Sequence, residues 1–177
     1  MSNNRYYFYG KFEENHQMLV TNQSDAKQQG YPKQEVEQAY DGTFWEVGYA
    51  PKKPLAVARE DKVAELSSKF EEASLAAHCM SSIGFEIDAN PTSNRDLEGI
   101  LLVLAPGEKT SFCDYHNTFH TVTREDIEVA RREIVLNGQY LYAQKWSYRD
   151  AINAAQTVAE VVAIVIEFHN RNFLSEA

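Results

Sequence analysis

From Leu55 to Ile83 the chain runs without a Gly or a Pro, and residues that interrupt regular structure close the run at both ends. Pro51-Lys52-Lys53-Pro54 stands before it and Gly84 after it. Proline fixes φ and has no N–H to donate, so Pro-Lys-Lys-Pro can neither continue a strand nor sit inside a helix. It predicts a stiff, extended hinge and a domain boundary. Beyond the hinge the pattern predicts one long helix over about Val57 to Ser82, stopped by Gly84. Its apolar positions, Val63, Leu66, Phe70, Ala73, Ala77 and Met80, alternate spacings of three and four, which is a heptad seam. Glu60, Asp61, Lys62, Glu65, Lys69, Glu71 and Glu72 occupy the opposite side. A seam this narrow packs against a single neighbour. Two neighbours satisfy it: a second copy of the helix, giving a homo-oligomer through residues 63–80, or the C-terminal part of the same chain.

The hinge and helix (51–83) separate two other regions. Residues 1–50 read as a small β segment. Arg5-Tyr6-Tyr7-Phe8-Tyr9 and Phe44-Trp45-Glu46-Val47-Gly48-Tyr49 favour strands, Asp41-Gly42 signals a turn, and the polar stretch Asn22 to Gln29 reads as a loop. Residues 84–177 read as an α/β domain. Phe85 to Asp88 alternates like a half-buried strand, and Asn90-Pro91 turns the chain. Ser93 and Asp96 fit a helix start, with Leu97, Ile100, Leu101 and Leu104 following. Ser111–Tyr115 and Thr118–Val122 flank His116-Asn117 as a hairpin. Thr123 to Asp126 and Thr157 to Glu160 are capping boxes. The first opens a helix that Asn137-Gly138 either ends or kinks, and the second opens a short helix over Val161 to Phe168. Residues 169–177 are expected to fray. The fold class is α+β.

Charge narrows the choice of partners. The net charge is −9, and Arg124, Arg131 and Arg132 are interspersed with Glu125, Asp126, Glu128 and Glu133. Binding a phosphate backbone needs clustered cations, so a nucleic-acid partner is not expected. The longest apolar runs, Ile100–Ala105 and Val161–Ile166, fall far short of the ~20 residues of a membrane span. The first residues lack the apolar core of a signal peptide, which predicts a soluble protein. Cys79 and Cys113 form no CxxC pair and read as buried reduced thiols.

The polar clusters admit chemical readings, and each has a plainer one. Asp114, His116 and His120 are oxygen and imidazole donors close in sequence, yet a hairpin turn would separate His120 from the other two. Asp88, Asp96 and Glu98 could be imagined as an acid pair, but helix capping and turn bonding account for them. No phosphate-loop, nucleophile-elbow, dinucleotide or zinc-protease motif occurs. The chain therefore reads as non-enzymatic, with no metal and no cofactor. Aromatic residues concentrate in residues 6–49, too many for fifty residues to bury alone, so Tyr7, Tyr9, Phe44, Trp45 and Tyr49 are candidate contact residues. Leu66, Phe70 and Met80 of the seam join them. Tyr140, Tyr142, Trp146 and Tyr148, at helical spacing, read as core.

Several segments resemble bacteriophage tail-fibre assembly and tail proteins. At the N-terminal side these are Ala39-Tyr40-Asp41-Gly42, Phe44 to Tyr49 and Ala50-Pro51-Lys52-Lys53-Pro54. The C-terminal part, through Gly84 to Asn90, Asn94 to Gly99, Phe112 to Thr123 and Trp146-Ser147-Tyr148-Arg149, resembles a domain of unknown function of phage and prophage tail proteins. The resemblance implies a chaperone of fibre folding or a minor tail component, working in the bacterial host cytoplasm or in the virion tail. Its partner would be a tail-fibre or baseplate protein. The family defines no catalytic residues, and the C-terminal part here is longer than the short helical ends of many fibre-assembly proteins. Two other readings stay open: a small phage-encoded inhibitor of a host protein, and a metal-dependent enzyme using Asp88, Asp114, His116 and His120.

Overall fold

Arg5-Tyr6-Tyr7-Phe8-Tyr9 forms the strand its composition predicts, β1 (Arg5–Tyr9), in a computed structural model that describes residues 5–19 and 22–175. The architecture is α+β, and the chain divides into two units, one up to Ala58 and one from Arg59. In the first, β1, β2 (Gln17–Met18), β3 (Lys33–Gln38) and β4 (Phe44–Glu46) make an antiparallel sheet in the order β1-β3-β4-β2. Register sorts the aromatics. Tyr6 opposite Val36 and Phe44 opposite Gln38 lie on one face, where the rings of Tyr6, Phe8 and Phe44 meet at 4.6–6.2 Å between centroids. Tyr7, Tyr9 and Trp45 lie on the other.

The β3–β4 hairpin turns at Asp41-Gly42: Gly42 has φ +84°, and the Asp41 carboxylate accepts from Thr43 N–H. Strand β4 stops at Glu46, three residues sooner than its sequence suggests. Gly48 takes φ +94°, and the buried Glu37 carboxylate bonds the N–H groups of Gly48 and Ala50 at 3.0 Å each. The polar stretch after Asn22 is not a loop but a short helix, α1 (Gln23–Gln28). Asn22 caps it, and the Gln23 amide bonds both backbone groups of Tyr9.

The second unit is built on α4 (Arg124–Ala154), whose Thr123/Asp126 capping box forms as expected. Asn137-Gly138 neither ends nor breaks this 31-residue helix. Ahead of it come α2 (Leu55–Leu75), which starts in the first unit, the hairpin β5 (His78–Met80)–β6 (Glu86–Asp88), α3 (Pro91–Val103) and the hairpin β7 (Lys109–Cys113)–β8 (Phe119–Thr123). Helix α5 (Val158–Ala163), capped by Thr157, follows it. Ile127, Ala130, Ile134 and Leu141 of α4 pack with Leu97, Ile87, Val122, Ala77 and Cys79 in one core. Ile152 packs with Leu66 and Ile166 in a second.

Three helix ends of the second unit differ from the sequence reading. The α2 helix ends at Leu75, because Ala77 and Cys79 alternate into the core from a strand paired with β6. With no Gly or Pro at the transition, a period of two passed for a continuation of the heptad. Helix α3 is capped by Asn90, whose side chain accepts from Ser93 N–H, with Pro91 in the first turn; Ser93 is not the cap. Helix α5 ends at Ala163, and 164–173 is an extended strap whose backbone groups bond helix side chains. Lys62 and Lys69 of α2 donate to Ile164 O and Ile166 O. On α4, the Tyr148 hydroxyl bonds Glu167 N and O, the Gln144 amide bonds His169 N and O, and Asn137 accepts from Arg171 N–H. Phe173 N–H then donates to Met80 O at 2.8 Å, so the segment up to Phe173 is pinned rather than frayed.

Candidate functional site

The heptad seam is used inside the chain. Leu66 is buried against Ile152 and Ile166. The Phe70 ring lies 4.8 Å from that of Tyr142 and 5.7 Å from that of Phe168, with Lys145 Nζ 4.2 Å from its centroid. Met80 is not on the helix at all: it sits on β5, opposite Glu86. Of the two neighbours open to the seam, the structure supplies the intramolecular one for Leu66 and Phe70, while Val63 stays 37% exposed.

The N-terminal contact candidates separate by face and exposure. Tyr7 is 60% exposed, with Lys33 Nζ 5.7 Å from its ring centroid. Tyr49 is 53% exposed and stacks on His16 at 3.7 Å. Tyr9 is half-buried beneath Lys27, and Trp45 is half-buried with its indole N–H donated to Thr43 Oγ1. Phe44 belongs to the opposite face, inside the ring cluster. Tyr7 and Tyr49 are thus the residues here with surface to offer.

At the tip of β7–β8 the side chains of Asp114 and His120 meet across the turn, and that of His116 does not join them. Asn117 takes φ +62° in the turn. Asp114, 7% exposed, accepts from the N–H groups of His116 and Thr118 through Oδ1 and contacts His120 Nε2 through Oδ2 at 2.8 Å. The His120 hydrogen bond, then those backbone N–H groups, hold its carboxyl below the usual carboxylate range. The His120 ring stacks on Phe85 at 3.9 Å. His116 turns away to Glu86, Nε2 to Oε2 2.8 Å, and His78 approaches the same carboxylate at 3.4 Å. The arrangement laces one hairpin to the other. Among the described residues no group of three or more His, Cys, Asp or Glu side chains is set to hold a metal ion. Asp88 is exposed, Asp96 contacts Arg95, and Glu98 pairs with Arg131, so these three acids occupy separate environments.

Cys79 is buried, and burial, then the charges of Glu133 and Glu86, push its thiol up to about 12. Cys113 is exposed, against expectation, because odd-numbered positions of β7 face outward.

One surface was not foreseen. Tyr140, Tyr142 and Trp146 are 41–53% exposed rather than in the core. At 100° per residue they fall off the Ile127–Ile134–Leu141–Ile152 stripe, and that offset was the available signal. Beside them α3 and α4 border an open groove of about 650 Å³, lined by apolar Leu101, Leu102, Val135 and Leu136 and by Arg124, Arg131 and Arg132 together with Glu98 and Glu128.

A family model described as Domain of unknown function (DUF4376) matches residues 57–166, which run from α2 through the start of the strap. The chain belongs to this family. No curated protein and no solved structure matches it. The family's span takes in both core clusters of the second unit except Phe173 and its neighbour Phe168, together with the groove and the hairpin tip, and leaves the N-terminal sheet outside. No helix among the described residues is long and apolar enough to cross a membrane.

Proposed function

We propose that the protein works by protein–protein contact in phage tail assembly, as a fibre-assembly factor or a minor tail component. The observation that carries a contact role is the exposure of large apolar side chains at two separate places. These are Tyr7 and Tyr49 on the N-terminal unit, and the groove of α3 and α4 with Leu102 at 83% exposure on the second. Rigid aromatic rings of this kind are favoured anchors at protein interfaces. Among the polar clusters, the contacts of His78 and His116 with Glu86 join the two hairpins and the Asp114–His120 pair orders the tip of one. The resemblance of short segments within 39–54 and 84–149 to tail proteins suggests the class of partner.

The test is a titration of the purified chain against the tail-fibre and baseplate proteins encoded beside it, read by calorimetry. Binding that weakens at least tenfold in Tyr7→Ala/Tyr49→Ala or in Leu102→Asp supports the reading. No heat with any of these proteins, together with capture of a host enzyme, would turn the assignment to an inhibitor, for which an acidic chain of net charge −9 is suited.

A further inference from the structure

The outer side of α4 carries a second stripe, and its chemistry reads the same from either end. Positions 128, 132, 135, 139, 142, 146 and 149 are all exposed and alternate spacings of four and three, so they share about 100° of the helix surface. The buried stripe of Ile127, Ile134, Leu141 and Ile152 is centred about 110° away around the helix. Gln139 is central. Seven residues before it stands Arg132 and seven after it Trp146; Val135 and Tyr142 are four before and three after; Glu128 and Arg149 are eleven before and ten after. Turning one copy of this helix antiparallel to another about an axis near Gln139 therefore sets guanidinium against indole, Val against Tyr, and Glu against Arg, each twice. A two-fold interface requires that self-complementarity.

We propose that this face binds a second copy of the chain, with Trp146 of each copy entering the α3–α4 groove of the other. Three observations favour that occupant. Trp146 is 53% exposed, and its ring neighbour is Tyr142 at 6.0 Å. The groove that faces it across the axis is lined by apolar Leu101, Leu102 and Val135, and Arg132 is the arginine of its rim that Glu98 and Glu128 leave for an indole. Arg132 on that rim forms no hydrogen bond or ion pair among the described residues, whereas Arg124 bonds Glu128 and Arg131 bonds Glu98. The unpaired guanidinium is the one the symmetry brings to Trp146. The stripe spans about 32 Å of helix, long enough for a stable helix pair. The inference does not depend on a tail partner.

Sedimentation of the full chain from about 1 to 100 micromolar tests it. The expected result is a concentration-dependent mass rising to twice 20.2 kDa. Trp146→Ala should weaken the dimer about thirtyfold or more, as loss of a central tryptophan anchor does. Its circular-dichroism melt should shift little, because the ring is half exposed. Glu128→Arg and Arg149→Glu should each weaken association, and the two together should restore it, an outcome that a fold defect would not give. In a Cys113→Ser background, Gln139→Cys should crosslink copy to copy on mild oxidation. A monomer at every concentration would overturn the proposal, including one whose α4 face is protected from hydrogen exchange by residues 5–50 of its own chain. So would a dimer indifferent to Trp146→Ala, or one in which Gln139→Cys fails to crosslink.

Discussion

Asn137 is fully buried in the middle of α4, and both halves of its amide are committed to the strap: Nδ2 donates to Asn170 Oδ1 at 2.9 Å and Oδ1 accepts from Arg171 N–H at 2.8 Å. Asn137→Ala removes two hydrogen bonds worth about 0.5–1.5 kcal/mol each in net terms. It also takes the acceptor from the part-buried N–H of Arg171, which adds a desolvation cost toward the lower end of about 1–3 kcal/mol. The gain in helix propensity of Ala over Asn returns about 0.5 kcal/mol. The balance is a loss of about 2–3 kcal/mol. Gln144 makes the same kind of paired contact with His169 at an exposed site, where water replaces the lost partner, so Gln144→Ala should cost about 1 kcal/mol or less. Urea unfolding gives both values, and native-state hydrogen exchange locates them. In Asn137→Ala the amides of His169, Arg171 and Phe173 should lose protection ahead of those of Ile134 and Leu141. A cost below about 0.5 kcal/mol, with Arg171 still protected, would mean that the strap is held by side-chain burial alone and that the amide ladder is incidental.

Leu66→Ala should lose about 2–5 kcal/mol by opening a cavity against Ile152 and Ile166, while Val63→Ala, on the partly exposed flank, should lose under about 1 kcal/mol; urea midpoints compare them. If Leu66→Ala instead altered the sedimenting mass and left stability intact, the seam would be intermolecular after all. Asp114 has a folded-state pKa below its unfolded value, so the stability it contributes is present above about pH 4 and is lost as pH falls through the lower folded value. Asp114→Asn should therefore flatten the acid limb of urea stability below about pH 4, and an unchanged limb would show that other carboxylates carry it. A thiol reagent should modify one cysteine of the native chain, Cys113, and none in Cys113→Ser, because the Cys79 thiol is buried and raised to about 12. Two reactive thiols without denaturant would contradict that burial.

Local chemistry made part of the fold readable. The capping box at Thr123, the Thr157 cap, the Asp41-Gly42 turn and the β7–β8 hairpin depend on residues within a few positions of one another, and all formed, the hairpin with its first strand two residues earlier and its second one residue later than expected. What could not be read depended on distant partners. Nothing near Ala76 says that the helix must yield to a strand; the reason is β6, eight or more residues on. Nothing in Ile164 to Phe173 says that an apolar segment will stay extended; the reason is a set of lysines, amides and a phenol on α2 and α4. The same holds for the site. Tyr7 and Tyr49 were readable as surface rings, but Phe44 was not separable from Tyr7 without the register of β1 against β3. The histidines were visible as candidates, and their joining of two hairpins through Glu86 was not.

The strap's attachment also sets what substitutions its sequence can accept. Side chains on the helices grip Glu167 and His169 by their N–H and C=O groups, and Arg171 by its N–H, so the identity of those residues' own side chains scarcely enters the bond. Positions 167 and 169, both exposed, can drift in charge and size, with one exception: proline at either deletes the donor that the helix reads, whereas Arg171 also sets its guanidinium 4.6 Å from the Phe173 ring centroid. Ile166 and Phe173, which are buried, mark where that freedom stops. Foreign residues grafted at the two outward positions, 167 and 169, such as a label, should therefore be carried on an ordered part of the surface without loosening it.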